Sequence, residues 1–218
     1  TAKIGYASIL RFGENMKKIL LALMGMVMAF SVSAATYEQG THYTVLNKAE
    51  TEKPQVIEFF SFYCPACFQF DQNYKVSQKI KAELPKEVEY HKYHVAFMGG
   101  DVGMMLTQAW AVAMVLDVEE QVKPLLFDAV QVKRNLKSQK DIRDIFIKAG
   151  VKAEEFDELW DSFVVKSLIS KQLQAVKDLE LEGVPAIYVN GKYQINLNGM
   201  KSIQDFVDAT LFLVNGRK

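Results

Sequence analysis

The spacing of apolar residues changes repeatedly along this chain, and each change predicts a different element. From Gln55 to Phe62 the run is almost continuously apolar (Val56, Ile57, Phe59, Phe60, Phe62), which predicts a central strand covered on both faces. The shorter, mixed segment from Tyr37 to Leu46 predicts an edge strand before it. The β-branched and aromatic residues of Val88 to Phe97 predict another strand after it. Between these strands a helix is expected from Pro65, whose missing N–H costs nothing in a first turn. It is expected to run to about Leu84, with Pro85 helping to end it. The pattern then turns helical throughout. Asp101 is placed to cap a helix over Gly103 to Leu116, Glu119 to Val132 forms a second with Pro124 near its start, and Ser138 caps a third, closed by Gly150. Ala153 to Leu181 supplies one or two more, with Phe156, Leu159, Trp160, Phe163 and Val164 at helical spacing as a core stripe. Strand patterns resume in Ala186 to Val189 and Tyr193 to Ile195. They flank Asn190-Gly191, a pair suited to a type I′ turn because both positions need positive φ. Ser202, with Asp205 three residues on, caps a last helix.

The N-terminal segment follows another logic. Met16-Lys17-Lys18, the apolar stretch Ile19 to Phe30 and the small residues Ser31, Val32, Ser33, Ala34 and Ala35 have the order of a secretory signal peptide, with the cut expected after Ala34. A membrane anchor is the alternative, but the apolar core is short of the roughly 20 residues a spanning helix needs. No cysteine lies at the cut to carry a lipid. Residues 1–15 precede a plausible start Met and show no targeting pattern, so residues 1–34 are set apart as leader and signal peptide. The whole chain has 26 basic and 26 acidic residues; without residues 1–34 the balance is 22 against 25, a formal charge of −3. That is not the basic excess of a nucleic-acid binder. The remaining length suits one domain with an inserted subdomain.

Cys64 and Cys67 are the only cysteines, in the tetrad Cys64-Pro65-Ala66-Cys67 at the junction of the central strand and its helix. In an exported protein a thiol pair can persist as a disulfide. A bridge over two intervening residues closes too small a loop to stabilise much. The spacing therefore predicts a redox dithiol, in which one sulfur attacks and the second resolves the mixed disulfide. Cys64 is the expected nucleophile, because unpaired N–H groups and the dipole at a helix N-terminus favour its anion. Cys67, one turn on, is the expected buried resolving thiol. With this dithiol, the element order predicts a thioredoxin-like α/β fold carrying an inserted all-helical domain. Residues 35–98 and 173–218 would form the two parts of the thioredoxin-like domain, and residues 99–172 the insertion. Beyond the redox-active Cys64–Cys67 disulfide, no cofactor is called for.

Several segments together resemble the DsbA family of bacterial periplasmic thiol:disulfide oxidoreductases, in the thioredoxin superfamily. They are Glu58-Phe59-Phe60-Ser61-Phe62-Tyr63-Cys64-Pro65-Ala66-Cys67, Lys92-Tyr93-His94-Val95, Phe97-Met98-Gly99-Gly100-Asp101, Leu106-Thr107-Gln108-Ala109-Trp110-Ala111, Ser162-Phe163-Val164-Val165-Lys166-Ser167 and Gly183-Val184-Pro185-Ala186. The resemblance implies a periplasmic donor of disulfides to newly exported, cysteine-containing proteins, reoxidised by a DsbB-like inner-membrane partner. It also implies a cis bond between Val184 and Pro185, in a loop that faces the dithiol and pairs with an extended client backbone. It places Glu58 beneath the dithiol near Lys92, where it would tune proton transfer at Cys67. Pro65, Ala66, Gln69, Phe62, Phe70, Phe97, Met98, Val184 and Met200 are candidates for the client groove. Two features depart from the pattern. The middle pair is Pro-Ala where the best-known members carry Pro-His, so the potential should be less oxidising by some tens of millivolts, at about 30 mV per pKa unit. The segment after Met200 is shorter and diverged.

Three other readings compete. Cys64, Cys67, His91 and His94 nominally make a zinc set, but an odd spacing on a strand puts His91 and His94 on opposite faces, so no metal site is expected. A periplasmic reductase or isomerase would use the same dithiol. Isomerases of this kind dimerise, and no dimerisation segment precedes Tyr37, so the chain reads as a monomer. A chaperone would use the groove without the sulfurs.

Overall fold

The apolar run of the central strand becomes β2 (Gln55–Phe60), inside a five-stranded sheet. The computed structural model describes residues 37–216, so the expected signal peptide and its cut lie outside the described residues. β2 pairs in parallel with β3 (Glu89–His94) and antiparallel with β4 (Ala186–Val189). β5 (Tyr193–Ile195) and β1 (Tyr43–Val45) extend the sheet antiparallel, giving the order β1-β5-β4-β2-β3. The β4–β5 turn has Asn190 at φ 52° and Gly191 at φ 66°, the two positive angles the sequence called for. Alternation along β2 sends Val56 to one face and Ile57 and Phe59 to the other. All three are buried in the cores that cover those faces.

The helix expected from Pro65 to Leu84 is divided. α1 (Pro65–Phe68) passes into a wide π-turn (Gln69–Asn73), Lys75 adopts a left-handed φ of 56°, and α2 (Val76–Glu83) follows. No glycine or proline between Ala66 and Leu84 signals this break. The wide turn instead swings Asp71 inward, where it is 1% exposed and meets two lysines.

The helical block comprises α3 (Gly100–Leu116), α4 (Glu119–Phe127) continuing through a π-turn (Asp128–Val132), α5 (Gln139–Lys148), α6 (Ala153–Trp160) and α7 (Phe163–Asp178); α8 (Ile203–Val214) returns to the sheet. Ser138 and Ser202 cap α5 and α8 as expected, each in a reciprocal box with Asp141 or Asp205. Asp101 does not cap α3. Gly99, at φ +85°, takes that position, and a Cβ there would lie 2.2 Å from the Tyr63 ring, so the chain needs glycine for angle and for space. The stripe expected through Phe156 to Val164 also stops short. Phe156 and Trp160 are buried, but Phe163 is 88% and Val164 45% exposed, because Asp161-Ser162 ends one helix and starts the next in a new phase. α7 runs unbroken through residue 172. Its Leu168 and Ile169 pack against the helical core and its Ala175 and Val176 against Phe59 and Tyr188 of the sheet, so one helix joins the two regions.

Candidate active site

β2 ends at Phe60, and Ser61-Phe62-Tyr63 carries the chain into α1 with Cys64 as its N-cap, in extended geometry (φ −88°, ψ 112°). The Cys64 N–H donates to the Ser61 carbonyl at 3.1 Å, and its Sγ accepts the Cys67 N–H at 3.1 Å. Both sulfurs are free and buried. The hydrogen bond from the Cys67 side chain lowers the Cys64 pKa from 9.0 to about 7; burial opposes the shift, and the Cys67 and Ala66 backbone N–H groups reinforce it. Burial pushes the Cys67 thiol the other way, upward, helped by the neighbouring Cys64 sulfur and the charge of Glu58. One sulfur is thus prepared to hold negative charge at neutral pH and the other to hold a proton.

The loop that presents Cys64 is fixed from three sides. The Val184–Pro185 bond is cis, as the resemblance implies, and the Val184 carbonyl accepts the Cys64 thiol at 3.3 Å. Beneath the loop, Phe62 is buried and stacks on His94, whose Nε2 accepts the Phe62 N–H at 3.2 Å. That bond fixes the tautomer: Nδ1–H faces Thr107 Oγ1 at 2.8 Å, and Thr107 donates on to the Gly103 carbonyl. Burial lowers the His94 pKa to about 3, so it is a neutral structural acceptor with both ring nitrogens engaged. From the helical block, Gln131 Nε2 donates to the carbonyls of Phe62 and Cys64, each at 2.9 Å.

Below β2 lies a buried set of charges. Lys92 Nζ is 2.8 Å from Glu58 Oε1 and also pairs with Asp71; Lys123 Nζ, from α4, is 3.3 Å from Asp71 Oδ1 and 2.8 Å from Glu120. Ser77 Oγ lies 3.0 Å from Glu58 Oε1 and 3.3 Å from Asp71 Oδ2, sharing its one proton between the two buried carboxylates, and Tyr90 donates to Glu58. Burial alone would raise Asp71, but Lys92 and Lys123 outweigh it and hold the carboxyl below its ordinary range. Burial would likewise lower Lys92, and Glu58 and Asp71 more than reverse it. Two buried carboxylates face two buried ammoniums, so each charge is compensated.

The residues singled out in the sequence separate into groups. Cys64, Pro65, Ala66, Cys67, Val184 and Pro185 come together at the dithiol, and Met98 packs against the core holding both cysteines. Phe97 is 54% exposed beside Met98, and Gln69 is exposed and bonded to Asn73. Phe62 is core rather than groove. So is Phe70, which is buried edge-on to Phe206 at 5.4 Å in the core that also holds Val56 and Val207. Met200 is partly buried against that core, next in the chain to Gly199, which lines a hollow with Val184, Pro185 and Leu197. Glu58 is buried among its lysine, serine and tyrosine partners. Sequence reading passed over Asp71, Lys123, His94 as a loop support and Gln131. None of them stands out locally: Asp71, Lys123 and Gln131 lie among other polar residues of helical segments, and His94 lies on a strand.

Comparison with known proteins agrees with this geometry. Residues 55–210 match the family model described as a DSBA-like thioredoxin domain. The thiol:disulfide interchange protein DsbA of Escherichia coli K12 is 53% identical over 204 residues, covering 91% of this chain and 98% of that protein. Its Salmonella typhimurium counterpart is 52% identical over 206 residues, covering 92% and 99%. The crystal structure of DsbA from Klebsiella pneumoniae aligns with a TM-score of 0.78 at 37% identity, covering 84% of this chain and all of that one. Proteus mirabilis DsbA, as a Cys-to-Ser variant with the non-covalently bound peptide PWATCDS, aligns with a TM-score of 0.76 at 44% identity, covering 83% and 97%. By these matches, and by the dithiol at its helix end, the chain belongs to the DSBA-like thioredoxin family and is a thiol:disulfide oxidoreductase.

Proposed function

We propose that this protein donates its Cys64–Cys67 disulfide to newly exported, cysteine-containing proteins in the periplasm. The carrying observation is the opposed treatment of the two sulfurs: Cys64 accepts the Cys67 N–H and ionises near pH 7, while Cys67 is pushed upward. A stabilised Cys64 thiolate stabilises the reduced protein, so the disulfide is readily reduced by others.

The steps follow from these preferences. A client thiolate attacks Cys64 Sγ, the S–S bond breaks, and Cys67 leaves with the electron pair. Cys67 takes up a proton because its environment disfavours the anion. A second client thiolate then attacks the client sulfur of the mixed disulfide, and Cys64 leaves as a thiolate. The client has lost two electrons and the protein has gained them. A DsbB-like inner-membrane oxidase removes them and restores the disulfide. Glu58 acts at the Cys67 proton step, since its charge is among the influences raising that thiol. The cis-Pro185 loop pairs with the client backbone, with Pro65, Ala66, Met98 and Phe97 beside it. The peptide held by the Proteus mirabilis relative contains one cysteine, the group such a donor meets.

The test is transfer of the disulfide from the oxidised protein to a reduced two-cysteine peptide, together with the dithiol's equilibrium against glutathione. The donor reading expects transfer on mixing and a dithiol isolated mostly oxidised. A dithiol isolated mostly reduced supports a reductase or isomerase instead. Ala66→His is expected to raise the potential by some tens of millivolts, since a donor beside the thiolate is worth about 30 mV per pKa unit.

A further inference from the structure

A second hollow adjoins the dithiol on the side of the helical block. Its volume is about 340 Å³, and it is lined by Tyr63 and Pro65 from the active-site loop and by Val130, Gln131, Arg134 and Leu136 from the block. It shares no lining residue with the hollow at Val184–Pro185. Cys64 is joined to both: its thiol bonds the Val184 carbonyl, and its next residue in the chain is Pro65. An extended client whose sulfur reaches Cys64 with one flank at Val184 can therefore extend its other flank toward this hollow.

The hollow has a built wall. Gln131 fastens it to the carbonyls of Phe62 and Cys64, and Arg134 Nε donates to the Gln131 carbonyl at 3.4 Å. Arg134 is thereby registered to the dithiol through consecutive hydrogen bonds. It also sits at φ 54°, the left-handed region that a non-glycine residue seldom adopts and that recurs at ligand sites. Its guanidinium has no carboxylate partner among the described residues, whereas the other described arginine, Arg143, is held bidentately by Asp157 at 2.7 and 2.8 Å. The adjacent Lys133 is paired with Asp128, and no acidic residue lines the hollow. The apolar residues Pro65, Val130 and Leu136 lining the same hollow as an arginine without a carboxylate partner are complementary to an apolar side chain next to a carboxylate, which arginine binds in a fork.

We propose that this hollow is a client subsite that seats an apolar side chain beside an acidic residue flanking the reacting cysteine, with Arg134 selecting the acid. The proposal rests on the disulfide-donor function and gives it a preference among clients. Arg134 acts by positioning and plays no part in sulfur chemistry.

The test uses reduced two-cysteine peptides that differ only in a Glu, Gln or Lys next to the first cysteine, on either side of it. Oxidation by the full-length oxidised protein is followed by stopped-flow tryptophan fluorescence. The Glu peptide of one flank is expected to react several-fold faster than its Gln form and the Lys peptide slower, with the spread shrinking as salt rises. R134Q should erase the order and R134E should reverse it, while the glutathione equilibrium of the dithiol stays put. An equal Glu-to-Lys ratio in wild type and R134Q overturns the subsite. If no peptide is oxidised, the donor reading fails, and titration with serine-for-cysteine peptides still decides the subsite. A Glu-over-Lys affinity ratio that R134Q abolishes upholds it, and equal affinities overturn it.

Discussion

At the starts of α5 and α8 a serine hydroxyl accepts the N–H of the residue three positions on; at the start of α1 a cysteine sulfur does the same. The cap residues share extended backbone angles. What differs is that third residue. At Ser138 and Ser202 it is Asp141 or Asp205, whose carboxylate returns bonds to the cap and to the preceding backbone N–H. Those bonds from Lys137 and Lys201, with the serines, hold both carboxyls below their ordinary range. At Cys64 the third residue is Cys67, and the first turn of α1 contains no acid. Two helix starts give their positive end to a carboxylate, while α1 leaves it to the sulfur. The ionisation of Cys64 thus depends on which residues are absent around it as well as on the cysteine.

The most severe way to break this contrast is Cys64→Ser, which makes the α1 cap an oxygen cap. Disulfide transfer should fall to background while the melting point stays within a few degrees of the reduced wild type, because serine is itself a good cap. Transfer that survived in this variant would remove the cysteine from the chemistry.

Next in size is the pH dependence of the reduced protein. The Cys64 pKa is depressed from 9.0 to about 7, so its stabilisation is complete above pH 9 and is lost as pH falls through 7. The Cys67 pKa is raised, so the unfolded chain releases a proton above pH 9 that the folded chain keeps, and stability falls on that side. Relative to the disulfide form, which has neither group, the reduced protein should be most stable near pH 9. It should lose about 1–2 kcal/mol on the way to about pH 6, allowing for solvent screening. Urea unfolding of both forms across this range measures it, and a flat difference would mean that the cap does not favour the thiolate.

A smaller change brings into the first turn of α1 the kind of negative charge the serine-capped helices carry one position further on. Ala66→Glu places an acid in the first turn and should raise the Cys64 pKa by about one unit, lowering the potential by about 30 mV. Thiolate absorbance against pH and the glutathione equilibrium read the two effects. Smallest for the redox chemistry is Ser202→Ala, expected to cost about 1 kcal/mol of stability by loss of the cap and to leave the potential unchanged.

The sequence carried those features whose cause is local. Asn190-Gly191, Ser138, Ser202 and the apolar run of β2 each state their conformation within a few residues, and the structure follows them. The cysteines announce their chemistry by spacing alone. What stayed hidden depends on partners distant in sequence. The break after α1 answers to lysines 21 and 52 residues away from Asp71. The Gln131 bonds span more than 60 residues. Phe70, a candidate for the groove beside Cys64, lies in the wide turn and packs against Phe206 instead. Asp101 was displaced as a cap because the packing of Tyr63 demanded glycine two residues earlier.

The ammonium of Lys123 has a consequence for how the molecule assembles. It belongs to the inserted block, yet its charge answers a carboxylate that the sheet side buries. The sheet side on its own would enclose Asp71 and Glu58 with Lys92 alone, leaving one negative charge over. Excising the insertion would therefore open an electrostatic deficit in the portion left behind, on top of the lost apolar contacts. The two regions are interdependent in folding, and their unfolding should register as a single cooperative transition.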